Sequence, residues 1–227
     1  MAERLCEDGG MVRGILFDLD GVLIDSGRDI THAVNWTLGQ YGFPALPYEI
    51  VKGHVGNGAI ELLTRCFAEF GPGHGKSAEK SLSAYKARYL EYSVVETTLY
   101  PGVEEGLKQL SGLAMAVVTN KPGALADQIL TRLGIRQHFG ALVAPEALTR
   151  MKPDPEGLFL AMALLGLHVE TTLMCGDSWS DIEAGRRAGV RTLGAFWGMG
   201  ETQALRDAKP DWLAESFKEL VGIVLDS

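Results

Sequence analysis

Gly14-Ile15-Leu16-Phe17-Asp18-Leu19-Asp20-Gly21 is an apolar run that ends in two carboxylates two residues apart. Alternate residues of an extended strand point to the same side, so Asp18 and Asp20 leave the run facing together. Two neighbouring carboxylates at the end of a buried strand repel one another, and they require a cation or a raised pKa on one member. Magnesium, which prefers oxygen ligands and keeps waters that phosphate oxygens can replace, suits such a pair. A bare Asp-x-Asp also occurs in surface turns. The strand before the pair and Gly21 behind it favour a site.

Working outward, similar Val-, Ile-, Leu- and Phe-rich runs recur as Ala114–Val118, Ala141–Val143, Leu173–Cys175 and Thr192–Phe196, and with Gly14–Leu19 they read as strands buried on both faces. From Pro101 onward they alternate with helical patterns at Val103–Leu110, Ala124–Leu133, Pro155–Leu165 and Asp181–Ala188. That alternation predicts an α/β fold, a doubly wound parallel sheet flanked by helices. Asp154 is the expected N-cap of the third of these helices, with Pro155 at its first position, and Gly134 is the expected stop of the second. Between Ser26 and Glu96 the pattern changes. Apolar positions recur at helical spacing in Ile30–Leu38, Ile60–Phe70 and Leu82–Tyr92 without a convincing strand, and Gly71–Ser77 reads as a loop. A helical domain is therefore expected to interrupt the sheet.

With 227 residues the chain has room for a core domain carrying a smaller inserted one, given ~150 residues per domain. Its 46% hydrophobic and 22% charged residues are those of a packed globular protein. A net charge of −8 offers no broad attraction to nucleic acid or anionic lipid, so an anionic substrate must be captured locally. Cys6, Cys66 and Cys175 lack metal-ligand spacing and are expected to be reduced, structural thiols. Met1–Gly10, with Glu3, Glu7 and Asp8, has no basic region followed by an apolar one. The longest apolar stretch, Leu158–Leu167, falls short of the ~20 residues of a membrane helix. A soluble, cytoplasmic protein with no nucleic-acid or membrane partner is expected.

Three further strand ends carry polar groups. Val117-Val118-Thr119-Asn120-Lys121 offers a hydroxyl and backbone amides of the kind that hold phosphate oxygens, or else a polar turn before Pro122-Gly123. Lys152, in Met151-Lys152-Pro153-Asp154-Pro155, either balances phosphate and carboxylate charge or is simply solvated. In Gly176-Asp177-Ser178-Trp179-Ser180-Asp181 the two acids are either helix caps or site residues. Their shared position decides the reading, because the carboxyl edge of a doubly wound sheet is where such folds bind ligands.

Asp18-Leu19-Asp20-Gly21-Val22, Thr119-Asn120, Lys152-Pro153 and Gly176-Asp177-Ser178 with Asp181 occur in an order and spacing that resemble the haloacid dehalogenase superfamily, most closely its phosphoglycolate phosphatase-like branch. The resemblance spans nearly the whole chain. It implies a Rossmann-like core at residues 12–25 and 96–227 and an all-helical cap at 26–95. It implies Asp18 as a nucleophile that becomes phosphorylated, and Asp20 as the acid that protonates the leaving oxygen and later activates water. Magnesium would be held by Asp18, the Asp20 main-chain carbonyl and Asp177, with Asp181 in or beside the second shell. Gly21, Thr119, Asn120 and Lys152 would surround the phosphoryl group. A carboxylate is an adequate nucleophile toward phosphorus once cations shield it, and the charge spread in the transition state is met by positioned groups.

The cap loop Lys52-Gly53-His54-Val55-Gly56-Asn57-Gly58 is similar to the corresponding loop of phosphoglycolate phosphatases. Lys52, His54, Asn57 and Arg65 are therefore the candidates for binding the organic part of a small phosphorylated metabolite, by a monomer or homodimer. The nearest rival is a phosphosugar mutase of the beta-phosphoglucomutase type, but such mutases carry a cap-linker histidine that aligns with Ile30 here, and His32 is out of step. A phospho-accepting signalling domain, the rival from another class, has no helical insertion of this length and phosphorylates an aspartate after a later strand.

Overall fold

A computed structural model describes residues 11–71 and 73–226 of the protein. In chain order it contains β1 (Gly14–Phe17), β2 (Ile24–Asp25), α1 (Gly27–Gln40), α2 (Tyr48–Lys52), α3 (Ala59–Ala68), α4 (Ser77–Glu91), β3 (Thr98–Leu99), α5 (Val103–Gln109) and β4 (Ala114–Val118). There follow α6 (Gly123–Arg132), β5 (Ala141–Val143), α7 (Glu156–Leu165), β6 (Thr172–Gly176), α8 (Trp179–Ala188), β7 (Arg191–Ala195), α9 (Thr202–Asp207), β8 (Trp212–Ala214) and α10 (Phe217–Leu225). Cys6 and the acidic residues around it lie outside the described residues. Cys66 and Cys175 are free and buried. No described helix is long and apolar enough to cross a membrane.

Six strands form one parallel sheet in the order β5-β4-β1-β6-β7-β8. Central strands must be apolar on both faces, and β1 and β6 are buried along their whole length. Register then does the positioning. Phe17 is level with Val117 on one side and with Cys175 on the other, so Asp18, Thr119 and Asp177 emerge together at one edge. The strand order reverses beside β1, which makes that edge the crevice of a doubly wound sheet.

Helices α1 to α4 interrupt this α/β core between β2 and β3. These two-residue strands pair antiparallel, Ile24 with Leu99 and Asp25 with Thr98, and bring the outgoing and returning chain together. With two residues each they escape an apolar-run search, and so does β8, a half-buried strand at the sheet edge. The expected Gly71–Ser77 loop contains a 3-10 turn at His74–Lys76. Helix α7 starts one residue later than expected, so Pro155 and not Asp154 takes the N-cap position, while the Asp154 carboxylate accepts from Glu156 N at 3.1 Å. Helix α8 starts two residues early, at Trp179, with Ser178 as its N-cap. Gly134, at φ +72°, does follow the end of α6.

Asp29, in the first turn of α1, closes the junction. Its carboxylate accepts from the backbone N–H of Val95, Glu96 and Thr97 at 2.9–3.1 Å and from the Thr97 hydroxyl at 2.7 Å. Burial would raise its pKa, but these donors, Thr97 Oγ1 foremost, hold it below the ordinary carboxylate value. A depressed pKa means that the stabilisation is present above the unfolded value of ~3.9 and is lost as pH falls through the folded one. Asp29→Asn is expected to cost about 2–3 kcal/mol in urea unfolding at pH 7, and much less at pH 3. Equal stability of the two proteins at pH 7 would show that the clamp carries no energy.

Candidate active site

At the edge of the sheet Lys152, delivered by the loop before α7, is 6% exposed. Its ammonium donates to Val118 O at 2.8 Å and pairs with Asp18 Oδ1 at 2.8 Å and Asp181 Oδ1 at 2.7 Å. That accounts for all three of its N–H groups. Burial alone would lower the Lys152 pKa, but Asp18 and Asp181 outweigh it and raise the value above the ordinary lysine range. Asp181 is wholly buried and serves both readings open from sequence. Its Oδ2 accepts from Ser178 N at 3.1 Å and Oγ at 2.6 Å, a capping box at the start of α8, while Oδ1 faces Lys152. Asp177 caps nothing. Its Oδ2 accepts from the backbone N–H of Met199 and Gly200 at 2.7 and 2.9 Å.

Asp18, Asp177 and Asp181 each offer an oxygen, all within 4.8 Å of one another. Three buried carboxylates against one ammonium leave uncompensated negative charge, and Asp181 Oδ1 has no partner except that ammonium. An all-oxygen, partly unsatisfied set of this kind fits a hard divalent cation. The protons record the same strain. Burial, aided by Asp181 and Asp20 and opposed by Lys152, raises Asp18 to about 7. Burial with Asp181 and Asp18 raises Asp177 to about 8, against the two backbone donors.

Asp20 lines the same cleft as Asp18 but takes a different lysine as its partner. Its carboxylate receives the Ser26 hydroxyl in a short contact and pairs with Lys121 Nζ at 2.8 and 3.0 Å. Lys121 Nζ also reaches the Tyr89 hydroxyl of α4 at 3.0 Å. Thr119 Oγ1 accepts from Lys121 N at 3.1 Å. The Asn120 amide donates to Gly56 O in the cap loop at 3.0 Å and to Lys152 O at 3.2 Å, so its side chain joins cap, core and lysine loop. Asp18, Asp20, Thr119, Asn120 and Lys121 line a cleft whose cap wall includes Ile30, Gly56, Gly58, Leu62, Tyr85 and Tyr89.

Several sequence candidates are not in that wall. Lys52, at the end of α2, does not line the cleft, and neither do His54, Asn57 or Arg65. His54 Nε2 meets Glu69 at 2.9 Å and Arg65 Nε meets Glu61 at 2.8 Å one helical turn away, so local acids already occupy both side chains. The loop reaches the cleft through Gly56 and Gly58 instead. Gly21 also lies outside the lining. At φ +84° it makes room for Asp177, whose Oδ2 would sit 1.8 Å from a Cβ there. Conversely Lys121, Tyr89 and Ser26 belong to the site although nothing in their spacing singled them out.

Residues 15–195 match the model of the haloacid dehalogenase-like hydrolases. The chain belongs to that family. Within it the chain is similar to the phosphoglycolate phosphatase of Pseudomonas syringae, with 33% identity over 96% of this chain and 82% of that protein. It is also similar to the phosphoglycolate phosphatase of Neisseria meningitidis, with 34% identity over 92% of each. A crystal structure of a predicted phosphoglycolate phosphatase from Haemophilus somnus superposes with a TM-score of 0.86 at 30% identity, covering 93% of this chain and 97% of that one. The protein is thus a phosphoglycolate phosphatase-like member of the haloacid dehalogenase-like hydrolases, and a hydrolase of phosphoric monoesters.

In the haloacid dehalogenase-like protein stripped of divalent ions, the raised acids set a pH dependence. Each contributes stability present below ~3.9 that is lost as pH rises toward the folded value. That value is about 8 for Asp177. Asp177→Asn, which keeps an acceptor for Met199 and Gly200 but cannot ionise, should therefore gain stability relative to wild type between pH 5 and pH 8. The expected gain is on the order of 1 kcal/mol or more in chelator-treated urea titrations. A difference flat in pH would show that no buried charge penalty exists there.

Proposed function

We propose that the protein is a magnesium-dependent phosphatase that hydrolyses a small phosphorylated metabolite, with phosphoglycolate favoured, through an aspartyl-phosphate intermediate. The observation that carries the reading is Asp18, held by Lys152 at 2.8 Å within an acidic cluster and opening onto the cleft. Lys152 holds Asp18 Oδ1 and leaves Oδ2 to attack phosphorus. The P–O ester bond breaks as the new P–O bond forms, and Asp20 gives its proton to the departing oxygen. Asp20 then takes a proton from the water that opens the acyl phosphate, which frees inorganic phosphate and restores Asp18. Thr119 and the Asn120 backbone amide cradle the phosphoryl oxygens, where positioned dipoles act on the transition state. Magnesium held by Asp18, Asp177 and the Asp20 carbonyl, with Asp181 alongside, would supply charge neutralisation on the phosphoryl group.

Residues 26–95 act as the cap, closing over residues 12–25 and 96–227 to exclude water. Ile30 lines the cleft where a mutase carries histidine, and an alkyl group moves no proton, which favours hydrolysis over isomerisation. The phosphatase names of the relatives support the same choice. The enzyme is proposed to work in the cytoplasm as a monomer or homodimer.

Asp18→Asn should fold and lose more than nine-tenths of kcat, a deficit above ~1.4 kcal/mol. Asp20→Asn should accumulate phosphorylated protein in rapid-quench mass spectrometry with an activated aryl phosphate. Fast steady turnover by either variant would remove the assigned role. Chelation should silence the wild type, with magnesium restoring it well and calcium poorly, since calcium tolerates looser geometry. Full activity in excess chelator would exclude the metal.

A further inference from the structure

Lys152 and Lys121 are the two buried lysines among the described residues, and they are not equivalent. Lys152 has spent its donors on Asp18, Asp181 and Val118 O beneath the phosphoryl position. Lys121 is the cation in the cleft lining, at the end where the cap wall of Tyr85, Tyr89, Leu62 and Ile30 faces Asp20. Its side chain is only 4% exposed, far too buried to be a solvated surface lysine. The residues read from sequence as binders of the organic part, Lys52, His54, Asn57 and Arg65, are not in the cleft lining.

We propose that Lys121, together with the Tyr89 hydroxyl, is the specificity-determining seat for a second anionic group on the substrate, a carboxylate carried by its organic part. The proposal rests on the phosphatase reading above and names the group that selects within it. In the structure Lys121 Nζ meets both Asp20 oxygens and, at 3.0 Å, the neutral Tyr89 oxygen. Exchanging that phenol oxygen for a carboxylate turns a neutral acceptor into a charged one, which roughly doubles the strength of the hydrogen bond. Burial, with Asp20 nearby, raises the Tyr89 pKa well above the ordinary phenol value, so its O–H is retained as a second donor to the same carboxylate. An ester with an uncharged organic part leaves Lys121 with Asp20 and the neutral phenol and gains nothing from this exchange. Asp20 and Asp18 are the acids in the lining, and they repel an incoming carboxylate wherever Lys121 does not offset them.

The test compares ester pairs that differ in the carboxylate: phosphoglycolate against ethyl phosphate, and phosphoglycerate against glycerol phosphate. The readout is the ratio of kcat/KM within each pair, whatever happens to absolute rates. In Lys121→Met the ratio should fall about 10–100-fold, the range for a lost hydrogen bond to a charged group. Lys121→Arg should recover part of it, and Tyr89→Phe should lower it severalfold. If Lys121 serves only Asp20, both members of a pair drop together and the ratio holds. That result overturns the proposal and leaves the phosphatase assignment and its favoured substrate intact. A wild type that prefers phosphoglycerate, with the preference erased in Lys121→Met, would uphold Lys121 and sink phosphoglycolate. A wild type that prefers the uncharged esters overturns both. Should Lys121→Met fail to fold, the Lys121→Arg and Tyr89→Phe ratios decide, and unchanged values in both refute the seat.

Discussion

Lys152 Nζ lies within 2.8 Å of Asp18, Asp181 and the Val118 carbonyl, and this buried ion cluster fixes much of what surrounds it. Taking an ion out of water costs several kcal/mol even after relaxation, and Coulomb attraction offsets that only when geometry and remaining hydrogen bonds are good. The fold meets the condition by register. β1, β4 and β6 end level, so an acid from one, a carbonyl from the next and the helix-capping turn of the third converge on one ammonium. Asp177 is accommodated on the same terms. Two backbone N–H groups from the loop after β7 reach its carboxylate, which requires that loop to lie against it, and a Cβ at Gly200 would come within 2.0 Å of the Asp177 carbonyl. What remains unbalanced in the cluster is charge, the property a divalent cation corrects.

The cap depends on that arrangement at one remove. Asp29 ties the first turn of α1 to residues 95–97, and β2 with β3 holds the two crossing strands of chain together. Two contacts then couple the cap to the chemistry itself. Asn120 spans from the cap loop at Gly56 to the main chain of Lys152, and Lys121 spans from Asp20 to Tyr89 on α4. Neighbouring residues on one strand end thus report the cap position to the two lysines of the site.

How far this was legible in the sequence follows from what each feature leaves as a pattern. Strands buried on both faces must be apolar, so β1, β4, β5, β6 and β7 show themselves, whereas β2 and β3 are too short for any period and β8 lies half-buried at the sheet edge. Asp18, Thr119 and Asp177 were legible as site candidates because each follows a strand end, and a parallel sheet gathers strand ends, whereas Lys152, in the loop between β5 and α7, was legible from the Lys152-Pro153 motif. Side-chain direction has no such signature. Lys121 adjoins Thr119 and Asn120 in sequence, yet only the fold shows that it turns toward Asp20 and not toward water. Arg65 illustrates the opposite case. Glu61, one helical turn earlier, was the available sign that its charge is spent locally. The His54 pairing with Glu69 joins residues 15 apart and could not be read from spacing.

A site with two buried lysines divides its electrostatic work between a fixed cation and an exchangeable one. The Lys152 ammonium contacts only core groups that the sheet register holds, and the cap reaches it only indirectly, through the Asn120 bonds to its main chain. Lys121 lies across the domain junction, with one partner from each side. Any movement of α4 away from the core breaks its contact with Tyr89, and any anion entering the cleft competes for the same donors. Cap position, substrate charge and the surroundings of Asp20 are therefore variables of one contact set. A chain that carried only the Lys152 arrangement could hold a phosphoryl group but would have no charged group with which to distinguish the molecules that bear one.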